Sequence, residues 1–196
     1  MFHTIPEPMQ QRMRFLERID GQDRQDGTLQ ADRLRQIPPV TGRFLALLAA
    51  STPPGKIIEV GTSAGYSTMW LSLACRAIGS MITTFEVLDH KSALAAETFA
   101  LAGIDDIVQA VEGDARDYLS DMADIAFCFL DAEKDIYQDC YDLAVPNMVS
   151  GGLFLADNVI SHSRSLEPLV RRAAADERVD AVVVPIGKGL LFCRKI

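Results

Sequence analysis

The chain has 196 residues, 48% of them hydrophobic and 23% charged, which is enough apolar material for one domain with a sizeable core. A net charge of −8, with no cluster of Lys and Arg, argues against a nucleic-acid partner. The N-terminus MFHTIPEPMQQRMRF lacks the apolar centre of a signal peptide, and runs such as FLALLAA are far too short to span a bilayer, so no membrane partner and a cytoplasmic location are expected.

Residues 1–50 read as an N-terminal helical segment ahead of the core at 56–196. A helix is expected from about Glu7 to Asp20, followed by a loop, GQDRQDGT, at 21–28. Pro38 and Pro39 lead into the helix VTGRFLALLAA, which the breaker STPPG ends. From Lys56 the pattern becomes regular. KIIEVG, MITTFEV, DIVQAVEG, DIAFCFLD and GGLFLAD read as strands. The helices between them are GYSTMWLSLACRAIG, HKSALAAETFALAG, a short one near 115–121 and one near 134–148. Another helix near 163–176 precedes two last strands, VDAVVVP and LLFCRKI, joined by IGKG as a hairpin turn. Strands alternating with helices predict an α/β fold with a seven-stranded, mostly parallel sheet covered on both faces. The last two strands have no helix between them, so one strand is antiparallel. Cys75, Cys128, Cys140 and Cys193 form no CxxC pair and sit in apolar or helical stretches, as buried thiols do in a reducing compartment.

In such sheets ligands bind beyond the carboxyl ends of the strands. Several unexpected residues fall there. EVGTSAGYS, residues 59–67, joins the first strand to its helix, and Gly61 and Gly65 permit a sharp turn and close approach to a ligand. The same glycines equally serve helix packing. The spacing is not the GxGxxG of dinucleotide folds and lacks the GK[ST] of a P-loop. Glu86 ends the second strand, where an acid accepts hydrogen bonds from ribose hydroxyls. Asp114 and Ala115 follow the third strand, where they would border an adenine. Asp131 and Asp157 each follow an apolar run, with Lys134 three residues after the first and Asn158 next to the second. Two carboxylates and an amide are hard oxygen donors, suited to Mg²⁺, Mn²⁺ or Ca²⁺. Asp157 and Asn158 also suit a helix cap.

EVGTSAGYSTMWLSLA resembles the first motif of class I S-adenosylmethionine-dependent methyltransferases. LDAEK with its following tyrosines, GGLFLADNV and IPPVTGRFLALL resemble a metal-dependent branch that includes catechol and caffeoyl-CoA O-methyltransferases and small bacterial relatives. The resemblance covers roughly 37–194. It implies a Rossmann-like class I fold and S-adenosylmethionine held near Glu59, Gly61, Ser63, Gly65, Tyr66, Ser67, Glu86, Asp114, Ala115 and Asp131. It further implies a divalent cation, Mg²⁺ first, on Asp131, Asp157 and Asn158, with Lys134 as base and Asp131 beside it in catalysis. The acceptor would be a small aromatic with adjacent hydroxyls, and the enzyme a homodimer. One departure is EVLDHK, where the family often has a second acid and a proline after Glu86; here Leu88 and Asp89 stand there. A metal-independent methyltransferase, a cofactor-binding module without turnover and a nucleotide-dependent dehydrogenase are the competing classes. His162 reads as a solvent-facing loop residue, Trp70 as packing, and Tyr137 with Tyr141 as one helix face against the sheet.

Overall fold

A computed structural model describes residues 2–29 and 32–196. Met1, Gln30 and Ala31, which fall in the N-terminal segment, lie outside the described residues. Five strands follow the chain in parallel: β1 (Lys56–Val60), β2 (Ile82–Glu86), β3 (Val108–Glu112), β4 (Ile125–Leu130) and β5 (Met148–Ala156). Two more, β6 (Val179–Val184) and β7 (Leu190–Lys195), complete a seven-stranded sheet of order β3-β2-β1-β4-β5-β7-β6. β7 is antiparallel to both neighbours, because the short turn before it reverses the chain without a crossover.

The strands carry almost unbroken apolar runs because both faces are covered. Alternate residues divide between two cores. Phe127 and Phe129 of β4, with Leu153 and Leu155 of β5, meet α2 (Pro39–Ala49), α3 (Tyr66–Ile78) and α4 (Asp89–Ala102). Cys128 and Leu130, with Phe154 and Ala156, meet α5 (Arg116–Leu119), α6 (Tyr137–Ala144) and α7 (Ser163–Ala174). The four cysteines are buried and free. Tyr137 and Tyr141 are buried on the second face, and Trp70 packs edge-on against Phe2 and Tyr66.

Three boundaries differ from expectation. The first helix, α1, runs Glu7–Asp23 and so enters the expected loop. It buries Met9, Met13 and Leu16, and Arg12 donates to Thr98 Oγ1 at 3.0 Å on α4, so this polar helix joins the core through one narrow face. The expected helix near 134–148 is a 3₁₀ turn at Lys134–Ile136, then α6, then a second 3₁₀ turn at Val145–Asn147 where Pro146 removes a backbone donor. β5 begins at Met148 rather than Gly151. It pairs Met148 with Ile125, slips, and resumes at Leu153 opposite Phe127, with Gly151 at φ 81 in the bulge. No helix among the described residues is long and apolar enough to cross a membrane.

Candidate active site

The register of the parallel strands brings the expected residues together. Val60 lies opposite Leu130, and Leu130 opposite Ala156. The ladder continues one step further: Asp131 N donates to Val60 O at 2.9 Å and Asp157 N to Leu130 O at 3.0 Å. Asp131 and Asp157 therefore leave adjacent strands side by side, at the spacing of neighbouring strands. A cavity of about 1010 Å³ opens at this edge.

At one end of the cavity, the chain after β1 turns through Gly61 (φ 99), Ser63 (φ 48) and Gly65 (φ 82). A Cβ on Gly61 would collide with the Asp131 carbonyl oxygen, so the loop lies directly on the end of β4. Glu86 is fixed by three backbone donors. Ser63 N reaches Oε2 at 2.8 Å, and Val87 N and Leu88 N reach Oε1 at 3.0 and 3.1 Å. Asp114 is held by Arg116, whose Nη2 donates to Oδ2 at 2.6 Å, and this pair keeps the Asp114 carboxyl below its ordinary range. Gly61, Ser63, Tyr66, Ser67, Glu86, Asp114 and Ala115 all line the cavity. Tyr66 Oη donates to Glu17 at 2.6 Å.

Two residues expected around the cofactor are not on this wall. Gly65 packs against Phe99. Glu59 stands behind the loop, fully buried, where Oε2 accepts from Thr68 Oγ1 at 2.5 Å and Thr84 Oγ1 at 2.7 Å. Oε1 has no partner, and burial pushes the carboxyl up to about 7.

The other end is polar and poorly satisfied. Asp157 is wholly buried, and neither Oδ1 nor Oδ2 has a hydrogen-bond partner. Burial, and then the charge of Asp131, raise its carboxyl well above the ordinary range, opposed by the cations Lys188 and Lys134. Asn158, held at φ 73 as asparagine tolerates, donates Nδ2 to Asp131 Oδ1 at 2.6 Å. Turned about its last side-chain bond, the same amide presents an oxygen to that point. Lys134 is largely buried, with Nζ donating to Ala132 O at 2.6 Å, Tyr137 Oη at 2.8 Å and Asp131 Oδ1 at 3.4 Å. Burial lowers its pKa, and Asp131 works against that. Tyr137 stays protonated, because burial raises its pKa well above the ordinary value. Among the described residues no three His, Cys, Asp or Glu side chains gather as a metal cluster; the set here is two carboxylates and an amide. His162 is exposed, lines the cavity, and has Nδ1 3.0 Å from Ser161 Oγ.

A roof of the cavity comes from the segment between α1 and α2. Leu34 O accepts from Ser63 Oγ at 3.0 Å, Arg33 O accepts from Lys91 Nζ at 3.0 Å, and Arg35 pairs with Glu133 at 2.7 Å. Lys91 is only 3% exposed, and burial lowers its pKa. Sequence reasoning did not single out Lys91, Arg35 or Lys188, and it read Tyr137 as packing against the sheet. Lys91 reads as an ordinary residue of HKSALAAETF, and only the docking of the roof buries it.

The fold and the paired strand-end sites define a Rossmann-like class I methyltransferase. A family model for O-methyltransferases matches residues 23–196. A catechol O-methyltransferase of Niastella koreensis is 33% identical over 165 residues, covering 76% of this chain and 74% of that one. An O-methyltransferase from Bacillus cereus in complex with SAH superposes with a TM-score of 0.79 at 21% identity, covering 95% of this chain and 91% of that one. The SAH-bound methyltransferase PaMTH1 of Podospora anserina superposes with a TM-score of 0.82 at 21% identity, covering 98% and 89%. The chain belongs to the O-methyltransferase family, and with it to the S-adenosylmethionine-dependent transferases.

Proposed function

We propose that the enzyme methylates one hydroxyl of a small aromatic that carries two adjacent hydroxyls, with a divalent cation held by Asp131, Asp157 and Asn158. Mg²⁺ is the first choice, and Mn²⁺ and Ca²⁺ suit the same donors. The observation that carries this is Asp157, a buried carboxylate with both oxygens unpartnered beside a second carboxylate and an amide. A buried charge that loses its partner costs roughly 3–5 kcal/mol, and Lys188 and Lys134 offset that of Asp157 only in part, so the group supports a cationic partner. When bound, the cation lowers the pKa of a coordinated hydroxyl and offsets the two carboxylates.

The chain's own groups supply the rest of the reading. Lys134, with its pKa lowered by burial, accepts the hydroxyl proton, and Tyr137 Oη and Ala132 O hold Nζ in place. Asp131 orients Lys134 on the side facing the acceptor. S-adenosylmethionine supplies an electrophilic methyl group. The Gly61–Ser67 loop takes its methionine portion, Glu86 accepts from the ribose hydroxyls, and Asp114 with Ala115 borders the adenine. Catalysis then comes mainly from holding oxygen and methyl carbon close and aligned. The similarity to the catechol O-methyltransferase of Niastella koreensis supports the acceptor class. Val40 and Leu47 on α2, and Phe15 on α1, remain exposed and support a homodimer through the N-terminal helices, which sedimentation at micromolar concentration tests.

The decisive experiment is methyl transfer to a panel of catechols with Mg²⁺ and with EDTA. Turnover abolished by EDTA and restored by Mg²⁺ is expected. Turnover indifferent to EDTA rejects the metal part and leaves a metal-independent methyltransferase.

A further inference from the structure

The hairpin turn between β6 and β7 places a cation at the acceptor end of the cavity. Ile160 N and Ser161 N both donate to Lys188 O, at 3.2 and 3.0 Å, and Val159 N donates to Gly189 O at 3.0 Å. A Cβ on Gly189 would collide with Ile160, and one on Gly187 with Thr41 of α2. The turn is thus wedged between α2 and the loop that leaves Asp157 and Asn158. The Lys188 side chain is half-buried and lines the cavity beside Asn158, Ser161 and His162.

The other cavity cations are engaged. Arg24 pairs with Asp20, Arg35 with Glu133, Arg116 with Asp114 and Lys134 with Asp131. Lys91 and Arg33 donate to backbone carbonyls. Among the described residues, Lys188 forms no ion pair with a carboxylate within 4 Å, although its charge acts on Asp157 and its carbonyl oxygen accepts two hydrogen bonds in that turn. A half-buried ammonium on a rigid turn, next to the acidic cluster but not paired with it, fits an anionic group brought by the ligand.

We infer that Lys188 selects acceptors whose dihydroxylated ring carries a carboxylate, directly or on a short side chain. This rests on the proposed methyl transfer to adjacent hydroxyls. The two hydroxyls occupy the Asp131, Asp157 and Asn158 end, and the carboxylate meets Lys188 with Ser161 Oγ as a second donor at the mouth. The same charge disfavours ring substituents that are themselves cationic.

The test compares specificity constants for 3,4-dihydroxybenzoate, uncharged catechol and a catechol bearing an ethylamine chain, with Mg²⁺ present. The unaltered enzyme is expected to favour the acid through KM by about tenfold, a preference that weakens as salt is raised. Lys188→Met should collapse the acid-to-catechol ratio toward one, Lys188→Arg should retain it, and Lys188→Glu should move preference to the amine. A ratio unchanged in Lys188→Met, or no preference in the unaltered enzyme, overturns the inference while methylation of catechol stands. Failure of the unaltered enzyme to methylate any of the three overturns the proposed reaction and this inference together.

Discussion

The two ends of the cavity are built on opposite principles. At the nucleoside end every acid on the wall already has donors: Glu86 accepts three backbone N–H groups and Asp114 is held by Arg116. At the acceptor end Asp157 has none, and Asp131 shares one oxygen between Asn158 and Lys134. A carboxylate has roughly four acceptor positions, so Glu86 can hold its loop and still receive a hydroxyl. A neutral, hydroxyl-rich ligand calls for such preset acceptors. A doubly charged ion calls for carboxylates whose repulsion nearby lysines relieve only in part. On the proposed reading, the first end recognises shape and hydrogen bonds and the second recognises charge.

The largest expected effect tests the charged end. Asp157→Asn should reduce turnover at least about a hundredfold, the scale associated with disturbing a metal site. It should also raise the melting temperature of chelator-treated protein, because a neutral amide replaces a buried carboxylate that has no hydrogen-bond partner. A gain of about 1–3 kcal/mol corresponds to roughly 2–10 °C for a chain of this size. Mg²⁺ should raise the melting temperature of the unaltered protein and have little effect on the variant. A variant that melts lower without metal, and still responds to Mg²⁺, would remove the contrast between the two ends.

Next comes the residue that joins them. Gly61→Ala forces an L-residue to φ 99 and drives its Cβ into the Asp131 carbonyl. Strain of about 1–3 kcal/mol is expected from the dihedral alone, read as a fall in melting temperature. SAH affinity should fall and Mg²⁺ protection should weaken with it, since β4 must shift. If SAH binding falls while the Mg²⁺ response is intact, the ends are mechanically separate.

Much of this site was legible because strand ends are where chemistry interrupts hydrophobicity. FCFLD and GLFLADN stop abruptly in acids, and the adjacency of β4 and β5 follows from their succession in a parallel sheet. The state of each acid was not legible. Glu59 and Glu86 both sit at or near strand ends, yet one is sealed behind the loop and the other faces the cavity. The difference comes from Thr68 and Thr84, which converge on Glu59 only once α3 and β2 are in place. The roof was hidden for the same reason: Arg33, Leu34 and Arg35 act through carbonyls and a distant Glu133, which no local pattern announces.

Glu59 gives a smaller effect that pH isolates. Its carboxyl rises from an ordinary value of 4.5 to about 7, chiefly through burial, so the folded state binds the proton more tightly than the unfolded one. Stability should therefore fall as pH rises from about 4.5 to about 7, by an upper bound of about 3 kcal/mol for this group. Glu59→Gln should flatten that part of the slope, melting close to the unaltered protein near pH 4.5 and above it near pH 8. An unchanged slope would show that the carboxyl ionises freely behind the loop, and that this end too tolerates uncompensated charge.

The smallest effect concerns the roof, which spans both ends. Arg35 and Glu133 form an exposed pair, with 36% and 65% of their side chains accessible, so the pair contributes at most about 1 kcal/mol. Lys91, by contrast, is buried beside the nucleoside end and holds Arg33 O. Arg35→Ala should raise acceptor KM by no more than about fivefold and leave SAH affinity nearly constant, because Ser63 and Lys91 still hold the segment. Lys91→Met should do the reverse, weakening SAH with less change in acceptor KM. Calorimetric SAH titration of the two variants separates these outcomes. If both weaken SAH alike, the roof moves as one rigid piece, and the independence of the two ends stops at the sheet edge.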